Sequence, residues 1–284
     1  MKNTRNQPVN IPVSKLRPFE GHPFKVKDDE EMNALIESVQ TQGILSPLIV
    51  RPIENTDEYE VISGHRRLHA AQKAGISEIP ALIYALDRDA AAIAVVDSNL
   101  HREHILPSEK AFAYKLKMEA LSHQGKRTDL TSDRTGPKST AASISESDSA
   151  TQVKRYIRLT HLIPELLTLM DENKMALSVG VELSFLDDQS QQDVLEQCGI
   201  NDCTPSYAQA VRMRKVFSNS VLTADMIRSI MSEEKANQRE TVKIPTEKLR
   251  KFAPNADPRQ LEDFVLKACE HYRKYLIHQR DRER

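Results

Sequence analysis

The sequence predicts an α+β protein with a small mixed α/β N-terminal domain, an all-α middle part and a helical C-terminal module. Runs typical of β-strands, such as "LSPLIVRPI" and "YEVIS", fall within residues 11–100. After Pro107 strand signals are almost absent, and apolar residues recur at helical spacing. Polar stretches at residues 126–149 and 232–241 indicate linkers. We therefore predict domains at residues 1–105, 106–235 and 236–284.

Composition limits the class of protein. The 284 residues carry a net charge of −1, with 39% hydrophobic residues, 29% charged residues and no tryptophan, which is typical of a polar, helical protein with modest cores. No run approaches the about 18 apolar residues of a membrane span. The start, "MKNTRNQPVNIPVSKL", lacks the apolar core of an export signal. We expect a cytoplasmic protein without membrane contact, whose three cysteines are reduced thiols.

The first helix is predicted in "DDEEMNALIESVQTQG". Asp28 or Asp29 can cap its N-terminus, and acidic residues occupy its first turn. Apolar residues from Met32 to Val39 share one face, and Gly43 is a natural stop.

Strands and helices alternate in the rest of the N-terminal domain. The strands "LSPLIVRPI" and "YEVIS" are separated by the turn-forming "ENTDE". A helix follows over His65–Ala74 and ends at Gly75. The run "IPALIYAL" is the next strand, and Arg88–Asn99 is an Ala/Val-rich helix.

The middle and C-terminal parts are predicted to be helical. Ser108 can cap the helix "EKAFAYKLKMEALSHQG", and a short helical patch is expected near Thr140–Ser145 within the polar linker. Helices resume at Ala150 and continue to about Cys198. The last helix, "QLEDFVLKACEHYRKYLIHQRDRER", has an apolar stripe that suits either dimerisation, DNA contact or folding back on its own chain.

The segment Gly64–His69 allows three interpretations. If a strand ends at Ser63 and a helix opens at His65, unpaired amides and two arginines favour an anion such as phosphate at the Gly64 turn. His65 and His69 stand one helical turn apart and could ligate zinc, with His101 and His104 as distant candidates, although two neighbouring arginines would repel a cation. An ordinary capped helix with solvated arginines is the third interpretation.

Asn99 and Arg102 form a second polar group. They lie one helical turn apart at the end of a predicted helix, so they face the same way. They could meet the Gly64 turn and complete a phosphate site, or Arg102 could simply stabilise the helix C-terminus.

The segment "TQVKRYIRLTHL" has the pattern of a DNA recognition helix. Val153, Ile157 and Tyr156 can pack inward, and residues 101–160 hold 11 basic and 7 acidic residues, a net +4. A plain amphipathic helix would share this pattern. We predict contacts to bases by the polar residues at the helix start and to phosphates or base acceptors by the basic residues. The first group is Ser149, Thr151 and Gln152, and the second is Lys154, Arg155 and Arg158.

The order of these segments resembles that of the ParB-type partition proteins over residues of about 11–200. The matching phrases are "IPVSKLRP", "LIESVQTQGILSPLIVR", "YEVISGHRRLHAAQKAGISEIPALI", "SNLHREHILPSEKAFAY" and a helix-turn-helix region at "STAASISESDSATQVKRYIRLTHLIPELL". The resemblance implies a ParB-like N-terminal domain that binds CTP with Mg2+ and a central domain that binds DNA. In such proteins the nucleotide lets a dimer close around DNA as a sliding clamp.

The resemblance also assigns the nucleotide-binding residues. The family's Gly-Glu-Arg-Arg motif falls on Gly64, His65, Arg66 and Arg67, with His65 in place of its Glu. Its Glu-Asn-x-x-Arg motif falls on Ser98, Asn99 and Arg102, with Ser98 in place of its Glu. Since carboxylates are strong Mg2+ ligands and can orient water, phosphate binding is better supported than Mg2+-dependent hydrolysis, and weak CTP hydrolysis stays open.

The leading hypothesis is a plasmid or chromosome partition protein that acts as a homodimer on a palindromic site in double-stranded DNA, associated with the nucleoid or a plasmid. A ParA-type ATPase is a further partner in the family, but its Gly- and Arg-rich contact peptide is not recognisable in residues 1–16. Two alternatives are a ParB-fold enzyme (a nuclease or nucleotide-dependent phosphotransferase) and a transcription regulator with a vestigial nucleotide site.

Overall fold

A computed structural model describes residues 7–128, 144–145, 148–233, 244–254 and 257–282. The chain forms two compact units, Met1–Glu233 and Glu234–Arg284. None of the helices in these described ranges combines the length and the apolarity needed to cross a lipid bilayer.

A five-stranded mixed sheet organises the start of the first unit. Its strands are β1 (Val9–Pro12), β2 (Leu16–Pro18), β3 (Leu48–Pro52), β4 (Tyr59–Ser63) and β5 (Glu78–Ile83). They lie in the order β1-β5-β3-β4-β2, so the two shortest strands form the edges. β3 and β4 form an antiparallel pair, whereas β3 runs parallel to β5 and β2 runs parallel to β4. The strands predicted from the β-rich runs are thus present, and both edge strands are additional.

Three helices accompany the sheet: α1 (Glu30–Gln42), α2 (His65–Ala74) and α3 (Arg88–Asp97). The Asp29 carboxylate accepts the backbone N–H of Met32 at 2.9 Å, and Gly43 ends α1 at φ +70°, which confirms both predicted signals. α2 ends at Gly75 as predicted. α3 ends two residues before the predicted Asn99, which lies in the turn that follows.

Side chains alternate between the two faces of the sheet along each strand, and helices bury both faces. On one face Val61 packs in a cluster with Met32 of α1 and Leu68 of α2. On the other face Ile62 packs in a cluster with Val95 of α3 and Ala120.

Ala120 belongs to α4 (Pro107–Thr128), which therefore shares a core with the sheet. The predicted cap of this helix is wrong: Ser108 is inside the helix, and its hydroxyl donates to Asp171 Oδ2 at 2.6 Å. Instead the Glu109 carboxylate accepts the backbone N–H of Leu106 at 3.1 Å. The predicted domain boundary at residue 105 thus falls just before α4, which packs against elements that precede the boundary and contacts α6, which follows it.

In the described part of the first unit, six further α-helices pack around a common apolar core. They are α5 (Ala150–Arg158), α6 (Pro164–Asp171), α7 (Leu177–Leu183), α8 (Asp188–Asn201), α9 (Tyr207–Asn219) and α10 (Ala224–Ser232). The buried Gln191 amide ties this core together, since it donates to the carbonyls of His161 and Leu186 and accepts the N–H of Ile163.

The second unit contains α11 (Thr246–Arg250) and α12 (Pro258–Arg282). An apolar groove lies between these helices, and many apolar side chains of α12 are exposed. Among the exposed residues are Leu266, Tyr272, Tyr275 and Ile277.

Candidate nucleotide-binding cradle and DNA-facing helix

The turn from β4 into α2 requires glycine. Gly64 has φ +106°, and a Cβ there would lie 2.9 Å from a guanidinium nitrogen of Arg67 and 3.0 Å from Leu48 Cγ. The N–H groups of the first turn of α2 have no acceptor within the helix, so this terminus favours an anion. The predicted strand–glycine–helix arrangement is therefore present.

Arg66 is the accessible arginine of this turn. Its guanidinium lies 3.2 Å from Glu31 Oε2 and 3.7 Å from Asp29 Oδ1, both at the start of α1. The Arg66 side chain is 35% exposed, so an incoming anion can compete with these carboxylates.

Arg67 has a structural position. It donates hydrogen bonds to the carbonyls of Ser46 and Pro47, in the segment that leads into β3. Its guanidinium lies against the Gly64 turn, and burial lowers its pKa. Arg67 thus supports the turn and is less available to a ligand than Arg66.

His65 faces into the protein. Its Nε2 accepts the backbone N–H of Phe19 at 3.3 Å, and its ring packs on His22, with centroids 3.7 Å apart and ring planes tilted by 35°. Burial, followed by the charges of His22 and Arg102, lowers the pKa of His65 to about 3. The imidazole is therefore neutral near pH 7.

The structure does not bring His65 and His69 together as a zinc-ligating pair. His69 is occupied with Asp28 at 2.8 Å, whereas His65 contacts Phe19 and His22. Within the described residues, no group of three or more His, Cys, Asp or Glu side chains is placed to hold a metal ion.

The end of α3 supplies the second half of the candidate nucleotide site, which we call the cradle and which comprises Gly64, His65, Arg66, Arg67, Ser98, Asn99 and Arg102. The buried Asn99 amide donates to Val95 O at 2.8 Å and to Ser98 Oγ at 3.2 Å, and the Ser98 hydroxyl donates to Val95 O at 3.0 Å. These hydrogen bonds fix the turn that carries Arg102.

Arg102 lies close to the Gly64 turn. Its guanidinium sits over the Phe24 ring, 5.4 Å from the centroid. Desolvation lowers the pKa of Arg102, and the positive charge of Arg66 lowers it further, while the Glu109 carboxylate acts in the opposite direction. Arg102 in turn lowers the pKa of His65. Because Arg102 lies over Phe24, Phe24 contacts His22, and His22 packs on His65, the structure brings the two predicted segments near each other.

The predicted recognition helix is α5. Ser149 caps it by accepting the N–H of Gln152 at 3.2 Å, and Val153 is fully buried. Thr151, Lys154 and Arg155 are exposed. The predicted first helix of the motif, at residues 138–146, lies mostly outside the described residues.

Arg158 differs from the other basic residues of α5. Its guanidinium donates to Ser184 O at 2.7 Å and lies 4.1 Å from the centroid of the Phe185 ring. Burial and the charge of Arg214 lower its pKa. Arg158 thus holds α5 to the end of α7 and is not free to reach DNA in this arrangement.

Comparison with known proteins agrees with this architecture. The family model described as the ParB N-terminal domain matches residues 1–100. The chromosome-partitioning protein Spo0J of Thermus thermophilus is 31% identical over 207 residues, which cover 72% of this chain and 70% of that protein. The chain belongs to the ParB family.

Other members of the ParB family match over shorter stretches. The nucleoid occlusion protein of Geobacillus thermodenitrificans is 40% identical over 114 residues, so this chain spans 40% of that protein's length. A C-terminally truncated ParB from Caulobacter crescentus, solved with CTP-gamma-S, is 25% identical, with a TM-score of 0.32 over 67% of this chain and 97% of that one.

The cradle departs from the expected Mg2+ site of a ParB protein. At the two positions where the family carries Glu, His65 has its Nε2 occupied and the Ser98 hydroxyl donates to a backbone carbonyl. The nearby Glu109 accepts backbone N–H groups of Lys25 and Leu106, one on each carboxylate oxygen. These residues do not fit a Mg2+ ion, which prefers carboxylate oxygens in octahedral geometry.

Sequence reasoning missed the lower wall of the cradle. The Phe24 ring lies under the Arg102 guanidinium. Arg102 lowers the pKa of His22, and the Glu109 carboxylate acts to raise the pKa of Arg102. The only local signal was the aromatic and histidine content of "FEGHPF", which follows β2. Nothing in that spacing shows that it lies next to His65.

Proposed function

We propose that this ParB-family chain binds CTP in the cradle and DNA through α5, as a partition protein whose nucleotide controls clamp-like closure of a dimer on DNA. The observations that support the proposal are the partly exposed Arg66 guanidinium in the first turn of α2 and the Arg102 guanidinium over Phe24. Phe24 contacts His65 through the His22 ring. Two arginines and a helix N-terminus form a site for a polyanion such as a triphosphate.

Nucleotide binding at Arg66 would alter its ion pairs with α1. Its partners, Asp29 and Glu31, lie at the start of α1. A phosphate oxygen that replaces them gains a charge-assisted hydrogen bond and releases these two carboxylates. Binding would therefore change the contact between α1 and α2.

A chain of contacts leads from the cradle to the helical part. Glu109, whose charge acts on Arg102, accepts the N–H of Lys25 at 2.9 Å. Asp171 at the end of α6 accepts the Ser108 N–H at 3.0 Å and lies 3.4 Å from Lys25 Nζ. A nucleotide that shifts Arg102 could thus bias the packing of α4 on α6.

The DNA contact is assigned to the start and the exposed face of α5. Ser149, Thr151 and Gln152 stand at its N-terminus, where side chains can reach base edges. Lys154 and Arg155 suit phosphate contacts. A dimer of such helices would read a palindromic site, and the exposed apolar side chains of α12 suit a homodimer contact. This assignment gives a nucleoid- or plasmid-associated protein.

Hydrolysis is not part of the proposal. A neutral His65 whose Nε2 accepts the Phe19 N–H lacks the capacity of a carboxylate to hold a metal or to orient water. The ParB-fold enzyme is accordingly the weaker alternative.

Calorimetry tests the nucleotide part. We expect CTP to bind the intact chain, and Arg66→Ala to weaken binding about tenfold or more, the loss of one charge-assisted contact. Arg17→Ala is the matched control, because Arg17 is also a partly exposed arginine in a surface pair, with Glu58. The proposal fails if calorimetry detects no binding of CTP, ATP or GTP at millimolar concentration, or if the two variants bind CTP equally.

A further inference from the structure

We propose that the cradle binds its nucleoside triphosphate without a divalent cation, with arginines and backbone N–H groups alone offsetting the phosphate charge. This inference rests on the proposed nucleotide binding and names the ionic form of the ligand. Its basis is that the side chains near the Gly64 turn that could ligate a cation each have another partner.

His65 is unsuited to a cation. Its ring packs on His22, its Nε2 accepts the Phe19 N–H at 3.3 Å, and the charge of Arg102 acts on it. A cation at this position would have to displace that hydrogen bond and approach a guanidinium.

The Ser98 turn offers no strong cation ligand. Its hydroxyl donates to Val95 O at 3.0 Å and accepts from the Asn99 amide at 3.2 Å. The Asn99 amide nitrogen also donates to Val95 O at 2.8 Å. A neutral hydroxyl bound in this way is a poor substitute for a carboxylate as a Mg2+ ligand.

The carboxylates nearest the cradle have other tasks. Glu109 holds the N–H groups of Lys25 and Leu106. Asp29 caps α1, and Glu31 pairs with Arg66. If Arg66 turns to phosphate, Glu31 is left at the surface, with its side chain 81% exposed, where water solvates it.

The positive charge of the cradle is complete without a metal. The positive charge of Arg66 disfavours the charge of Arg102, and the first-turn amides of α2 add positive potential. An anion relieves this repulsion most when it carries its full charge. The metal-free nucleotide is therefore the preferred ligand, and Mg2+ in solution competes for it with the protein.

The test compares CTP affinity of the intact chain in EDTA and in excess Mg2+ by calorimetry. We expect the dissociation constant in EDTA to equal or fall below that in Mg2+. The inference is overturned if Mg2+ strengthens binding about tenfold or more. Absence of CTP binding in both buffers instead refutes the proposed function itself.

A variant that restores the carboxylates provides the reciprocal test. Ser98→Glu, on an exposed side chain, and the double change with His65→Glu should weaken binding in EDTA and make it depend on Mg2+. Thermal melting shows whether His65→Glu is tolerated, and the single Ser98→Glu chain decides if it is not. A folded variant that remains indifferent to Mg2+ counts against the assignment.

Discussion

Replacement of Gly64 by alanine should both destabilise the protein and disturb its nucleotide cradle. Gly64 has φ +106°, and the new Cβ would lie 2.9 Å from an Arg67 guanidinium nitrogen and 3.0 Å from Leu48 Cγ. Leu48 is fully buried and Arg67 is held by two backbone carbonyls, so neither neighbour can move away without loss.

Two costs add up at this position. A left-handed conformation costs a residue with a Cβ about 1–2 kcal/mol, and forcing an extra carbon into a packed site costs about 1–3 kcal/mol. We therefore expect the free energy of unfolding to fall by about 2–5 kcal/mol for Gly64→Ala.

Gly75→Ala is the matched control, because Gly75 also has a positive φ, +72°, but nothing lies within 4 Å of its hypothetical Cβ. It should carry the backbone cost alone, about 1–2 kcal/mol. Urea and thermal unfolding followed by circular dichroism measure the difference, and calorimetry measures CTP affinity. The argument is refuted if the two variants lose equal stability, or if Gly64→Ala binds CTP like the control.

Three further predictions concern other parts of the molecule. Asp171→Ala should lower the free energy of unfolding in urea by about 2–4 kcal/mol, since it leaves two buried donors at the start of α4 without an acceptor. The change Glu172→Ala at its exposed neighbour should lower it by under about 1 kcal/mol, and equal losses would contradict this. Because folding lowers the pKa of His65 from 6.5 to about 3, its contribution to stability is complete above pH 6.5 and is lost as the pH falls from there towards 3. Unfolding titrations should show a loss of about 1.4 kcal/mol per pH unit over that window, and a His65→Gln chain with an equally steep profile would speak against it. Arg155→Ala should weaken DNA binding and reduce its salt slope by about one unit, while Arg158→Ala should lower the melting temperature; the opposite pattern in binding and melting assays would remove α5 from the interface in its present orientation.

The sequence alone determined the elements whose ends are set by local contacts. Asp29 and Ser149 each cap a helix by accepting the backbone N–H three residues further on, and Gly75 ends α2 in a left-handed conformation. Such contacts lie within one turn of the chain, so residue type and spacing suffice to predict them. The β-rich runs similarly predicted β3, β4 and β5.

The edge strands β1 and β2 could not be predicted in this way. They are four and three residues long, too short for a clear alternation, and they exist because they pair with β5 and β4. The prediction for Ser108 was wrong for a related reason. A serine near a helix start is a common cap, but the acceptor for this hydroxyl is Asp171, far along the chain.

The candidate site divides along the same line. The sequence determined that a glycine turn, the neighbouring arginines and the Asn99–Arg102 pair suit a phosphate ligand, because helix termini and guanidinium groups have that chemistry wherever they occur. Only the tertiary structure decided that Arg102 lies over Phe24 where the Arg66 charge acts on it, that Arg67 supports the turn and that His22 packs on His65. Long side chains choose their partners among residues that folding brings together, and that choice is made in space rather than by spacing along the chain.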